Sequence, residues 1–376
     1  MTNLRLTCLV ALGLGGVVWA GTPKTVHTLE DTKNATILSP VDIDGDGDMD
    51  LLTTMNRGGG SATNQVYLLA RKKAPGKFKI RQVGLVDGTE FAGSLQVGDV
   101  DKDGDLDVIG VAPLRGLFWF ENMGQAKAFS PPKLIAKKAS EHLAVGDFDG
   151  DGDLDAMTGG DAPTLHLNED GKGRKWSSSK PFPGIKGMSS AKAYSPQACD
   201  IDGDGDLDIV CSDGYGISKL VNEGGIWKNV RLWTGSSSEK FGGLQARDFD
   251  GDGDVDVVAA ARSQAVYLNN MDGKGTLAPE VTKLEFSIHF VDAGDIDGDG
   301  DVDLVVGARD ASKVAWLAWD AEEEEFTVQV LDHDDYLKSN ANGIRLVDMD
   351  GDKDLDILFS SSNYSVARGV VWLETR

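Results

Sequence analysis

Three cysteines in 376 residues are too few to staple a fold, and Cys8 lies inside an N-terminal apolar run. The pair left, Cys199 and Cys211, flanks a single acidic loop. Strands leaving that loop are able to bring the two sulfurs together, or each cysteine is a small buried hydrophobe. Five histidines are scattered, and they form no zinc signature. There is no nucleophile elbow and no phosphate loop. Basic residues are also scarce: 37 Lys and Arg stand against 61 Asp and Glu, a formal charge of −24, which excludes a nucleic-acid backbone as the natural partner. After residue 20 no apolar run is long enough for a membrane span, and apolar runs are short and cut by Gly, Asp and Asn, which excludes long helices.

The one long apolar run is at the start. Arg5 precedes Leu6 to Trp19, and Val18-Trp19-Ala20 ends on a small residue before Gly21. This pattern predicts an export signal over 1–20 and a mature chain of 21–376, placed outside the cell, in a periplasm or on a cell surface. The competing reading is a buried first strand or helix. Cys8 sits too early in the run for lipid attachment.

What the chain has in excess is aspartate. Asp295-Ile-Asp-Gly-Asp-Gly-Asp-Val-Asp303 alternates five Asp over nine positions, and six further stretches repeat it. The seven sets are Asp42, Asp44, Asp46, Asp48 and Asp50; Asp99, Asp101, Asp103, Asp105 and Asp107; Asp147, Asp149, Asp151, Asp153 and Asp155; Asp200, Asp202, Asp204, Asp206 and Asp208; Asp248, Asp250, Asp252, Asp254 and Asp256; Asp295, Asp297, Asp299, Asp301 and Asp303; and Asp348, Asp350, Asp352, Asp354 and Asp356. They hold 35 of the 61 acidic residues, so the charge is concentrated, not spread.

The repeat step is 47 to 57 residues. Four and two residues before a loop stand apolar pairs such as Leu95 and Val97, or Ile344 and Leu346, the period of a strand. After the ninth position comes a short apolar strand, as in Val257-Val258. A third strand carries words such as Phe118-Trp119-Phe120 and Val371-Trp372-Leu373. A fourth ends most units, as in Phe78 to Val83, Trp227 to Leu232 and Phe326 to Leu331. Units of this size and content predict an all-β, seven-bladed β-propeller with four-stranded blades, against the alternative of a solenoid. Only two strands follow the last loop. Lys24 to Leu29 precedes the first loop and is available to complete the last blade, which removes exposed edges. No segment is left for a second domain. Variation falls between strands: a flexible Arg57 to Asn64, a basic and aromatic Lys172 to Lys186, acidic Glu322 to Glu325 with Asp332, Asp334 and Asp335, and sequons at Asn34 and Asn363. The basic stretch reads as a solvated loop with locally packed aromatics or as a site for an anionic chain.

Calcium takes six to eight hard oxygen ligands in a flexible sphere. Positions one, three, five and nine of each loop supply carboxylates, and position seven a backbone carbonyl; in the third loop these are Asp147, Asp149, Asp151, Asp155 and the carbonyl of Asp153. The Asp153 side chain is free to face solvent or orient a neighbour. Magnesium, with its stricter octahedron, fits less well. An acidic turn with no metal leaves crowded carboxylates repelling one another. Up to seven Ca2+ ions, one per blade, are expected, and they would bring the formal charge from −24 to −10. The last loop carries Lys353 where the others have Gly, so its site is expected to be the weakest; the second carries Lys102 two positions earlier.

The Asp-x-Asp-x-Asp-Gly-Asp-x-Asp core, repeated over Lys24 to Arg376, resembles the FG-GAP or VCBS repeats of integrin-alpha-like propellers and of many secreted proteins. The resemblance implies that Asp42, Asp44, Asp46, Asp50 and their equivalents are calcium ligands. The Phe-Gly and Gly-Ala-Pro words are poorly kept, and nothing resembles the rest of an integrin chain. The family includes sugar-binding propellers, adhesion modules and polysaccharide lyases, and fold does not choose among them.

The expected function is extracellular binding or adhesion, with a glycan or another extracellular protein as partner; Trp176, Trp233 and Trp319 are stacking candidates. The alternative is a polysaccharide lyase or related carbohydrate-active enzyme, for which His142, Tyr194 and His289, five or six residues before their loops, are acid–base candidates near one rim of the channel. No catalytic residue is assigned on sequence. A third reading is a structural surface or matrix component.

Overall fold

The computed structural model describes residues 25–29, 31–32, 35–55, 65–72, 77–85, 94–112, 115–140, 142–183, 193–213, 215–235, 241–308, 313–320, 323, 325–331, 340–362 and 369–375. The export segment, Arg57 to Asn64, Lys186, Glu322, Glu324, Asp332, Asp334, Asp335, Asn34 and Asn363 lie outside them. Among the described residues every regular element is a strand, and the strands form seven antiparallel sheets of four. No helix among them is long and apolar enough to cross a membrane.

Six blades run in chain order; blade three, for example, is Leu143–Gly146, Asp155–Thr158, Thr164–Asn168 and Trp176–Ser179. Second strands such as Asp50–Met55 and Asp256–Ala261 are buried throughout, because both faces pack against neighbouring blades. That is why they read as unbroken apolar runs. Fourth strands form the outer wall and mix exposed with half-buried positions, as in Glu325–Leu331.

Seven apolar cores lie between the seven blades. One joins Leu51 and Leu69 of blade one to Leu358 and Trp372 of blade seven, so the ring is closed. The closing strand is Thr25–Thr28, which pairs antiparallel with Val370–Glu374 in the register Thr25 to Glu374 and His27 to Trp372. It takes the outer place in the last blade, as the sequence predicts. The His27 ring stacks on Trp372 at 4.3 Å and its Nε2 meets Glu374 Oε2 at 3.2 Å.

First strands lie innermost. Asp292, fully buried in blade six, accepts from Arg247 of blade five at 2.9 Å and from the Leu346 amide of blade seven at 3.0 Å, so one carboxylate pins three blades. Cys199 belongs to the core between blades four and five, Cys211 to the core between blades three and four. The two are free and point to opposite faces of one sheet, so no disulfide forms.

Candidate metal centres

Each nine-residue loop joins the first strand of a blade to the second, and all seven lie on one face of the ring. The first Asp folds the turn. Its Oδ2 accepts the amide of position six in every loop, at 2.8–3.1 Å. The Asp at position five accepts the amide of position seven, at 2.8–3.0 Å. The backbone is left-handed at position six, which suits Gly, but Lys353 adopts φ 78° there with its side chain exposed. Lys102 does the same at position four, with φ 58°.

The Asp at position nine is buried and faces the loop from below. Its Oδ1 accepts an amide at the end of the third strand in all seven blades, from Arg71, Asn122, Asn168, Asn222, Asn270, Trp319 and Thr375, at 2.7–3.3 Å. Burial pushes this carboxyl up, to about 6 for Asp50 and about 7 for Asp107, Asp155, Asp208, Asp303 and Asp356, and raises Asp256 as well. Burial, then neighbouring loop carboxylates, also raises the third-position Asp44, Asp101, Asp149, Asp202, Asp297 and Asp350.

Positions one, three and nine converge. Asp42, Asp44 and Asp50 bring one oxygen each within 4.8 Å of one another, as do Asp99, Asp101 and Asp107, Asp147, Asp149 and Asp155, and Asp200, Asp202 and Asp208. Buried Oδ2 atoms of Asp50 and Asp208, and Oδ1 of Asp44, Asp101 and Asp202, have no hydrogen-bond partner. Convergent, partly desolvated carboxylate oxygens with unmet acceptor capacity suit a hard divalent cation.

Position seven behaves differently. Asp153 pairs with Lys102 of the preceding blade, Asp105 accepts the Gln125 amide at 3.2 Å, and Asp206 the Gly224 amide at 2.8 Å. These side chains brace the loop against the turn between third and fourth strands or against the next blade.

Three features of the site were not read from the sequence. Glu121 leaves the third strand of blade two beside Asp101 and Asp103, within ligand distance of both, and is held by Lys133 at 2.7 Å. Asn168, Asn222 and Asn270 send Nδ2 to the loop carbonyls of Val100, Phe148 and Ile201 in the preceding blade, at 2.9–3.1 Å, so each loop is propped by its neighbour. The signal was an Asn closing the third strand in four consecutive blades, Asn122 included, with a Gly or Ala a few residues on whose amide returns to its Oδ1. Lys219 occupies, in blade four, the third-strand place of Trp119 and Trp316, and its charge eases the ionisation of Asp202.

The opposite face carries the other sequence candidates. His142 and Tyr194 meet edge to face, with ring centroids 5.4 Å apart, and the Tyr194 hydroxyl donates to Asp161 at 2.6 Å. His289 reaches the same rim but lies against the Gly242-Gly243 backbone, its carbonyl accepting the Gly243 amide at 2.6 Å. His166 is a buried core residue between Thr158 and Ser178, its pKa lowered to about 4 by burial. Trp176 donates to the Gly173 carbonyl at 3.0 Å, and Trp319 packs on Phe326 at 4.8 Å, both at the metal-loop end of their blades. Trp233 lies at the other end of blade four. The basic insertion is tied down locally: Arg174 pairs with Asp170, Lys175 with Glu169, and Phe182 packs on Trp227.

No curated protein matches the chain. Among solved structures the chain is similar to an Agrocybe aegerita lectin, described as recognising non-reducing terminal N-acetylglucosamine, with 20% identity, 81% of each chain covered and a TM-score of 0.56. It is similar to YCF48 from Cyanidioschyzon merolae, with 14% identity over 93% of this chain and 98% of that one, and a TM-score of 0.54. It is also similar to the extracellular domain of BT4673 from B. thetaiotaomicron, with 13% identity, 94% of this chain covered and a TM-score of 0.57, although it spans only 40% of that chain. At these identities the likeness is one of fold. The model of the FG-GAP-like repeat matches residues 42–110, 147–211, 248–306 and 295–359, more than half of the sequence, and the chain belongs to the FG-GAP-like repeat family.

Proposed function

We propose that this protein is a secreted, calcium-stabilised binding propeller whose face opposite the metal loops recognises a glycan or another extracellular protein. The observation that carries the reading is the division between faces. On the loop face the carboxylates are turned inward, toward one another and toward backbone amides. On the other face exposed Asp161 and Tyr215 and half-buried Tyr194 stand on the ends of rigid blades. When bound, calcium would neutralise the crowded carboxylates of each loop. Asp42, Asp44, Asp46 and Asp50 and their equivalents would hold it, the Asp at position nine from below.

A saccharide is the first ligand to test, since one lectin shares the fold. On a calcium-replete glycan array the protein is expected to retain at least one class of oligosaccharide and release no unsaturated product. Product formation would select the lyase reading; absence of any retained glycan would turn attention to a protein partner.

The seventh loop offers a separate check. A side chain at positive φ costs roughly 1–2 kcal/mol against glycine. Lys353→Gly is therefore expected to add on the order of 1 kcal/mol of stability once the looser unfolded chain is allowed for, and to strengthen calcium binding at that loop. A Lys353→Gly protein with unchanged melting and unchanged calcium titration would mean that this loop is not the weak one.

A further inference from the structure

We infer that the metal loops of blades two to five, from Asp99–Asp107 through Asp248–Asp256, load with calcium as one coupled run, while loop six loads alone. The inference rests on the calcium-stabilised reading above and adds how its sites communicate.

The coupling runs through buried asparagines. In loops two and three the amide of position two donates to the position-nine carboxylate of its own loop, Val100 to Asp107 and Phe148 to Asp155, both at 3.0 Å. The carbonyls of the same two residues face the next blade, where they accept Nδ2 of Asn168 and of Asn222, each at 2.9 Å. The backbone amides of those asparagines in turn donate to position nine of their own loops, Asp155 at 2.8 Å and Asp208 at 2.7 Å. An unbroken line of hydrogen bonds therefore runs from Asp208 to Asp107 through three loops. Asn270 extends it to loop five: its amide donates to Asp256 at 2.8 Å, and its Nδ2 to the Ile201 carbonyl of loop four at 3.1 Å.

The three asparagines are 1–3% exposed, and a glycine amide of the same turn occupies each Oδ1, at 2.8–3.1 Å. With both ends of the amide engaged the side chain is fixed, so a neighbouring loop that loosens leaves a buried N–H without its acceptor. Loops two and three are tied twice more. Lys102 pairs with Asp153, and Lys172 Nζ donates to the Asp101 carbonyl at 2.7 Å.

The run has ends. In blade two Asn122 stands at the same place, but its Nδ2 holds the Leu106 carbonyl of its own loop, at 3.1 Å. Blades six and seven carry Trp319 and Thr375 there, and the Thr375 hydroxyl likewise holds its own loop, at the Leu355 carbonyl, 2.8 Å away. Among the described residues none of these three side chains donates to the preceding loop. In blade one Arg71 takes the place, and its Nη2 donates to the Asp350 carbonyl of loop seven at 3.2 Å. The ring thus divides into a run of four loops, a pair and a single loop.

What the line transmits is order. In a metal-free loop the crowded carboxylates push apart, and positions two and nine move with them. Loop four has the capacity for an ion at its floor: Asp208 is fully buried beside Asp200 and Asp202, and its Oδ2 has no hydrogen-bond partner. Loading a loop holds positions two and nine still. Through the asparagine it also holds position two of the preceding loop, which then has less to order. The acidic field acts the other way, because each loaded loop weakens the negative potential that draws the next ion. Field alone gives graded sites, whereas the asparagine line gives four that fill together.

The test is hydrogen exchange of the full chain, followed loop by loop across a calcium titration. Loops two to five are expected to gain protection at one shared midpoint, and loop six at its own. Asn222→Thr keeps an own-loop bond in the manner of Thr375 and drops the bond to Phe148. It is expected to raise the midpoint of the run by about fivefold, the lower end of coupling between linked sites, and to split loops two and three from loops four and five. Asp149→Asn alters no bond of the line. It is expected to raise the midpoints of loops two and four by a similar factor and leave loop six unchanged, so the test stands even if Asn222→Thr fails to fold. Protection of each loop at its own midpoint, indifferent to both variants, would overturn the coupling and leave the calcium reading standing. Protection of no loop at any calcium concentration would overturn both.

Discussion

Stripping calcium from the folded protein is expected to leave it unfolded, or barely folded, at neutral pH. A ligand that binds only the native state adds about 2.7 kcal/mol when its concentration is a hundred times its Kd. Seven such sites together exceed the roughly 5–15 kcal/mol that ordinarily separates a native domain from its unfolded chain. Without the ion, ninth-position carboxyls are buried beside third- and fifth-position carboxyls, and their raised pKa values record that cost. The sign of the pH dependence follows. In the metal-free chain burial pushes Asp107, Asp155, Asp208, Asp303 and Asp356 up to about 7, from the ordinary 3.8 of an aspartate. Between those values the native state binds more protons than the unfolded state, so metal-free stability is full below about 4 and is lost as pH rises through about 7. Calcium competes with those protons, so its affinity rises over the same window. Melting curves of dialysed protein at pH 5 and pH 8, with and without calcium, are expected to show the metal-free form more stable at pH 5 and the larger calcium-induced gain at pH 8. An unchanged melting curve after verified removal of the metal would sink the reading of these loops.

Deleting the closing strand is expected to have an effect of similar size. Without residues 21–29, the edge of Val370–Glu374 loses its antiparallel partner and the Trp372 ring loses the His27 stack. Leu29, 3% exposed, leaves the core shared by blades seven and one. Burying a Leu stabilises by about 1.5–3 kcal/mol. The remaining loss is the unpaired strand edge, a template for association. The truncated protein is expected to melt at lower temperature in calcium and to elute as oligomers, and adding a peptide of residues 21–29 is expected to restore part of both properties. A truncated chain that stays monomeric with native melting would show that closure does not depend on this strand.

The blade count, the four strands per blade and the closing strand were legible because a period of two and a repeated loop are local properties of sequence. So was the clustering of carboxylates, since the oxygens that converge in one loop lie within nine residues. What joins one blade to the next was not legible. Asn222 reaches a carbonyl 74 residues away, and nothing local marks that partner. Lys102 read as an oddity of its own loop, whereas its ammonium serves Asp153 in the next blade. The cysteines illustrate the same limit. Their spacing around one loop left pairing open, and only the register of the sheet, which sends Cys199 and Cys211 to opposite faces, decides against it. At the opposite face sequence placed Tyr194 and His289 at corresponding points, six residues before their loops, and His142 five before its own. It did not supply Asp161, which comes from a turn between strands and has no periodic signature.

The register of the closing pair also has a mechanical consequence. Thr25 stands opposite Glu374, so the polypeptide enters and leaves the ring side by side, on the metal-loop face. Tension applied between those two points opens the hydrogen bonds of this pair one after another, like a zip, instead of shearing them together. The clasp that resists heat as part of a closed ring is therefore its softest point under pull. A propeller tethered through both ends would yield first at Thr25, while blades three and four, on the far side of the ring, stay folded.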